Sequence, residues 1–163
     1  MNGATPTGSP FEPSSEQETV ALLTPIPNGN VLAALCSLNK IKGEVIETSA
    51  GAFAVLDDTS EGSTDHAGKV ISTFIKERPM LAMERRDGQI TIHQWMDGKK
   101  GESLSPGFAL DQAPSAITTL MTGSQTIEEL AQTHPDKVFS AKMGRFAAFK
   151  ELRKLALDAK RAQ

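Results

Sequence analysis

The clearest pattern in the chain is the period-two alternation from Arg78 to Met96, RPMLAMERRDGQITIHQWM, interrupted in the middle by Asp87-Gly88. Asp-Gly is the pair that a type I′ turn asks for, because both central residues need positive φ, so the pattern predicts a β-hairpin. The turn fixes the register: Arg86 faces Gln89, Ala82 faces His93 and Met80 faces Trp95. Parity then sorts the side chains. Leu81, Met83, Ile90 and Ile92 share the side expected to meet the core. Met80, Ala82, Glu84, Arg86, Gln89, Thr91, His93 and Trp95 share the side expected to face outwards.

The same reasoning applied upstream gives three more elements. Asn28 or Asn30 caps a helix whose Val31, Leu32, Leu35, Leu38 and Ile41 recur at helical spacing, with Gly43 placed to end it. A hairpin follows, from Glu44–Thr48 and Ala52–Asp57 around Ser49-Ala50-Gly51, with Val45, Phe53 and Val55 as core residues. Ser63 or Thr64 then caps a helix carrying Ala67, Val70, Ile71 and Phe74 on one face, which stops before Pro79. Ahead of all these, Val20–Ile26 is a short apolar run ending in Pro25-Ile26-Pro27 and reads as an extended lead-in.

Downstream of Asp97-Gly98, Lys99–Ser105 is polar with room for a short strand, and Pro106-Gly107 breaks the chain. Ala113-Pro114 opens a helix through Met121 that Gly123 ends. Thr126–Thr133 is another helix, with Glu128 and Glu129 in the first turn where the dipole favours them. Val138 to the C-terminus reads as the longest helical stretch. It carries a cationic stripe of Lys150, Arg153, Lys154 and Arg161 with Leu157 set within it.

Laid end to end, the order is helix, hairpin, helix, hairpin: two αββ units, 30–58 and 64–96. The expected fold is a single α+β domain over residues 20–163: a four-stranded antiparallel sheet with both helices on one face, plus a helical C-terminal extension from residue 113. Residues 1–19, rich in Pro, Gly and Ser/Thr with one large aromatic, Phe11, are expected to form a disordered arm. This element order is similar to that of small adaptor-like or secretion-chaperone-like sheet domains that bind partner segments. The likeness is one of architecture and rests on no motif.

Composition narrows the class. With 163 residues and 39% hydrophobic content the chain has material for one core. A single cysteine, Cys36, excludes an internal disulfide framework and a Cys-based zinc site, and points to a reducing, cytoplasmic setting. The first basic residue is Lys40 and no apolar run is long enough to span a bilayer, so neither a signal peptide nor a membrane anchor is expected. The net charge of −3 hides an asymmetry: residues 1–136 hold 9 Lys/Arg against 18 Asp/Glu, and residues 137–163 hold 8 against 2. A body at −9 and a tail at +6 suit self-association, an acidic partner or nucleic acid, or simply a last helix that solvates its outer face.

Candidate chemistry is sparse. No phosphate-binding glycine loop, zinc-protease helix, nucleophile elbow or paired Cys motif occurs, so no catalytic residue, cofactor or metal is assigned. His93 lies diagonal to Glu84, within reach of an acid/base pairing, although a polar cross-strand pair on a wet sheet face is the simpler reading. Asp57, Asp58, Asp65 and His66 match no metal spacing, and Asp65-His66 reads more simply as a helix start.

These observations favour a non-enzymatic, cytoplasmic protein-interaction module. Its expected partner-binding residues are Met80, Trp95, His93 and Glu84 on the outer sheet face, and Lys150, Arg153, Lys154, Leu157 and Arg161 on the C-terminal helix. Homodimerisation through surfaces of opposite sign fits the charge asymmetry. Two alternatives stand beside this reading: nucleic-acid binding by the basic helix, and a small ligand-binding or enzymatic domain around Glu84 and His93. The acidic body and the lack of a Phe platform weigh against nucleic acid.

Overall fold

The structure, a computed structural model, describes residues 18–140 and 152–154. Seven strands form one antiparallel sheet, not four, in the order β6-β5-β4-β1-β3-β2-β7. They are β1 Thr19–Leu23, β2 Gly43–Thr48, β3 Gly51–Leu56, β4 Met80–Arg86, β5 Gln89–Met96, β6 Lys99–Leu104 and β7 Val138–Ser140. Between them lie α1 Gly29–Leu38, α2 Glu61–Ile75, α3 Pro106–Asp111, α4 Ser115–Thr122 and α5 Ile127–Thr133, with a 3-10 turn at Pro135–Lys137. The first six elements, β1-α1-β2-β3-α2-β4, with strands ordered 4-1-3-2, have the split βαβ arrangement of ferredoxin-like domains. β5 and β6 extend that sheet beyond β4, and β7 extends it beyond β2.

Of the strands missing from the sequence reading, β1 is the central one. β1 pairs with β3 (Leu22↔Ala54) and with β4 (Leu22↔Ala82), and Val20, Ala21 and Leu22 are all buried. A strand covered on both faces shows an unbroken apolar run instead of alternation, and Val20–Leu23 is such a run. The two αββ units are therefore joined through a strand that precedes both.

Helices also cover both faces of the sheet, where one was expected. On one face α1 and α2 bring Val31, Leu32, Leu35, Ala67 and Ile71 onto Val20, Leu22, Val45, Ala54, Met80, Ala82 and Trp95. On the other, Leu110 of α3, Ile117, Leu120 and Met121 of α4 and Leu130 of α5 cover Ala21, Ile46, Phe53, Met83 and Ile92. The C-terminal helical region is thus part of the domain core.

The central hairpin has the register derived from its turn, from Arg86↔Gln89 through Met80↔Trp95. Asp87 and Gly88 sit at φ +53° and +76°. Asp97 and Gly98, at +48° and +81°, make a second turn of the same kind, and Met96↔Lys99 is the pair that closes it. Parity along the strands is as derived, but the Met80/Trp95 side is not outward-facing: α2 lies on it. Gly68 of α2 makes that approach possible, because a Cβ there would stand 2.6 Å from Trp95 Cε2.

Several element ends move. Asn28 caps α1, its Oδ1 accepting from Asn30 N at 2.8 Å, and the helix stops at Leu38 with Lys40 at positive φ, so Gly43 opens β2. Ser60 caps α2, its Oγ accepting from Ser63 N at 3.3 Å, one turn earlier than expected. Pro106-Gly107 starts α3 instead of breaking the chain, as a proline at N1 permits. Thr126 and Glu129 form a reciprocal capping box on α5. Val138–Ser140, expected to start the last helix, is a strand on the free edge of β2 (Val45↔Phe139), with Phe139 packed against the α1 side of the core.

Cys36 is buried in α1, and burial pushes its thiol up to about 12. Because that lies above the unfolded value, the associated stability is intact below about pH 9 and declines as the pH rises towards 12. At pH 8 the folded protein should be silent to a disulfide thiol reagent, whereas the urea-unfolded chain should react at once. Rapid labelling of folded protein would contradict the burial of α1.

Candidate interaction surface

The residues assigned to an exposed sheet face occupy three different environments. Met80 and Trp95 are 1% and 5% exposed beneath α2 and form part of the core, which corrects the expectation of an apolar island open to partners. His93 is half-buried, and its Nδ1 has no hydrogen-bond partner. Glu84 is held elsewhere: its Oε1 accepts from Arg86 Nη2 at 2.8 Å and from Arg86 Nε at 3.0 Å. The acid/base pairing of Glu84 with His93 Nδ1 is therefore absent.

Arg86 ties three segments together. Besides Glu84 it donates from Nη1 to Glu18 Oε1 at 3.1 Å, and the same oxygen accepts from Thr59 Oγ1 at 3.1 Å. Burial alone would lower the Arg86 pKa, but the Glu84 hydrogen bond and the charges of Glu84, Glu18 and Glu61 outweigh it and raise the value. The cluster joins the start of β1, the end of β4 and the loop before α2. It fastens these three segments to one another.

The other candidate groups are equally committed. Ser63 Oγ donates to Asp58 Oδ2 at 2.6 Å and Ser60 N to Asp58 Oδ1 at 3.0 Å, which holds the Asp58 carboxyl below its ordinary range. His66 Nε2 lies 3.2 Å from Asn39 O, and His134 Nδ1 lies 2.9 Å from Thr133 Oγ1. Among the described residues no three His, Cys, Asp or Glu side chains come together as metal ligands would. Nor is any described helix long and apolar enough to cross a membrane.

The basic stripe is described only in part. Arg153 and Lys154 are exposed on a helical turn, while Lys150, Leu157 and Arg161 lie outside the described residues.

A surface that the sequence reading did not single out lies at one edge of the sheet. β6 is the terminal strand, it pairs only with β5 among the described strands, through Lys99, Lys100, Ser103 and Leu104, and Lys99–Ser103 are exposed. The ladder shifts register between His93 and Trp95, opposite the Gly101 segment. Lys100 Nζ lies 3.6 Å from Asp65 Oδ1 of α2, and Gly98 N donates to Ser72 Oγ at 2.8 Å, so the strand is fixed to that helix. Among the described residues the large apolar side chains that stay exposed belong to elements near this edge: Met96 of β5 at 44%, Phe74 of α2 at 44% and Phe108 of α3 at 68%. The sequence signal was Phe108 directly after a polar strand, hidden because Pro106-Gly107 reads as a break.

A cavity of about 460 Å³ opens at the opposite end of the molecule, between Ile46–Ser49, Pro114–Ala116 and the segment holding Leu130, His134 and Lys137. Its Glu47 Oε2 accepts from Gly29 N at 2.6 Å, which commits that carboxylate to the start of α1. Compared with family models, with curated proteins and with solved structures, the chain matches none.

Proposed function

We propose that this chain is a protein-interaction module whose partner supplies an extended segment that pairs along β6. The observation that supports the reading is a six-residue terminal strand with no second partner among the described strands, next to elements β5, α2 and α3 that carry the exposed Met96, Phe74 and Phe108. An added strand would gain main-chain hydrogen bonds from the edge and apolar contacts from its borders. Lys99 and Lys100 at the start of β6 favour a segment with acidic residues at that end. Lysines on an edge strand also discourage indiscriminate pairing, so the surface selects a complementary strand over any strand. The same reading sets the protein in the cytoplasm, where a lone buried thiol such as Cys36 stays reduced.

The test compares retained partners from a native lysate for the wild-type chain and for a Met96→Asp/Phe108→Asp variant. Both side chains are exposed, so the fold should tolerate the change. The expected result is a specific co-purifying protein, resistant to nuclease and moderate salt, whose retention falls about tenfold or more in the variant. A second copy of this chain as the partner would appear as a concentration-dependent dimer that the variant abolishes. Identical retention by both proteins, or partners removed by nuclease, would overturn the proposal.

A further inference from the structure

Where α2 ends and β5 turns into β6, two parts of the chain are fastened into one corner. Gly98 N donates to Ser72 Oγ at 2.8 Å, and a Cβ on Gly98 would stand 2.7 Å from Thr73 Oγ1 and 3.9 Å from Lys69 Cγ, so the turn rests on the last two turns of the helix. Met80 pairs with Trp95, so the residues leading into β4, Arg78 among them, arrive at this same end of the hairpin. Lys69, Phe74, Lys76, Arg78, Met96 and Lys99 share the corner, and all six are exposed.

Charge here runs against that of the body. Of the 9 Lys/Arg and 18 Asp/Glu in residues 1–136, the corner holds four and two, the carboxylates being Glu77 and Asp97. None of the four cations forms an ion pair among the described residues, whereas the neighbouring Lys100 is already committed to Asp65. Phe74 and Met96 stand among them, each 44% exposed. The corner is a helix end and a two-residue turn, and its residues line neither the 460 Å³ cavity nor the one of about 380 Å³ beside Arg85. A nucleic acid would use the cations and leave the apolar pair in water, and an acidic protein would need a depression to enclose that pair. An anionic bilayer uses both, since its headgroups meet the cations and its acyl boundary takes up apolar side chains without a preformed pocket. We infer that this corner docks on the surface of an anionic membrane, with Phe74 and Met96 entering the interface and Lys69, Lys76, Arg78 and Lys99 meeting the headgroups. With a net excess of only two cations the attachment is reversible. Lys76 and Arg78 belong to neither β5 nor β6, so the membrane contact can fail while the β6 reading stands.

Co-sedimentation of the full chain with phosphatidylcholine vesicles, with and without about a third phosphatidylserine, tests the assignment. Glu77→Cys carrying an environment-sensitive fluorophore adds a readout at the corner itself, because Cys36 is buried and stays unlabelled. The chain should bind the phosphatidylserine vesicles about tenfold or more tightly than phosphatidylcholine alone, the fluorophore emission should move to shorter wavelength, and both signals should decline as salt is raised. Lys76→Glu/Arg78→Glu, at exposed positions, should weaken binding about tenfold or more, and Phe74→Ser should weaken it as well. Equal binding to both kinds of vesicle, or binding to soluble poly-L-glutamate as tight as to vesicles, would overturn the inference. So would sedimentation that survives Lys76→Glu/Arg78→Glu without a fluorophore shift, which would place the contact elsewhere on the chain.

Discussion

Leu22→Ala is expected to cost about 2–5 kcal/mol, the usual range for truncating a fully buried leucine. For a domain whose total stability is on the order of 5–15 kcal/mol, that is a large share. Leu22 is 0% exposed and sits in the middle of β1, between Ala54 and Ala82 on its two neighbours. Neither neighbour is large enough to collapse into the space left behind. Urea unfolding followed by far-UV circular dichroism should show a lower midpoint with an unchanged slope. If residues 20–26 were only a lead-in to the first helix, the same substitution would be worth a few tenths of a kcal/mol. The experiment separates a central strand from a lead-in without further structure determination.

Gly68→Ala is the second large effect, and its sign is the informative part. On helix propensity alone, alanine at an interior position of α2 should stabilise by about 1 kcal/mol. A Cβ at this position would instead stand 2.6–3.0 Å from three atoms of the Trp95 ring, and the indole is enclosed between α2 and the sheet. Overpacking of this kind costs about 1–3 kcal/mol, so the net change should be destabilising. Trp95 is the only tryptophan, and its emission should move to longer wavelength as the ring is displaced. Trp95→Leu in the Gly68→Ala background should recover part of the loss, because the smaller side chain makes room for the methyl group. A stabilised Gly68→Ala protein with unchanged fluorescence would mean that α2 does not bear on the tryptophan.

How much of this arrangement could be read in the residues differs from segment to segment, and the differences have physical causes. Asp87-Gly88 settles its own geometry, since few residues accept two successive positive φ values, and every cross-strand pair of that hairpin follows from it. The helices at Thr126–Thr133 and after Pro114 are likewise written in local capping chemistry and a left-handed stop at Gly123. What local pattern could not supply was the identity of the layer lying on each face. Alternation separates Trp95 from Ile92 without saying which of them meets α2, and the choice depends on where β1 enters the sheet. That choice turned an expected docking face into core. β7 was illegible for a related reason: three residues are too few to show a strand period, and Val138–Ser140 pairs only because β2 offers an edge more than ninety residues earlier in the chain.

The placement of β1 has a kinetic corollary. Its partners are β3 and β4, so Ala21 must wait for Val55, and then for Met83, before both of its edges are closed. During synthesis the apolar Val20–Leu23 segment leaves the ribosome well ahead of the strands that will flank it. Contacts this distant in sequence slow collapse to the correct register. Nascent chains released before residue 86 should therefore be the aggregation-prone species and the natural clients of a holding chaperone, while chains that have passed that point should bury the segment spontaneously.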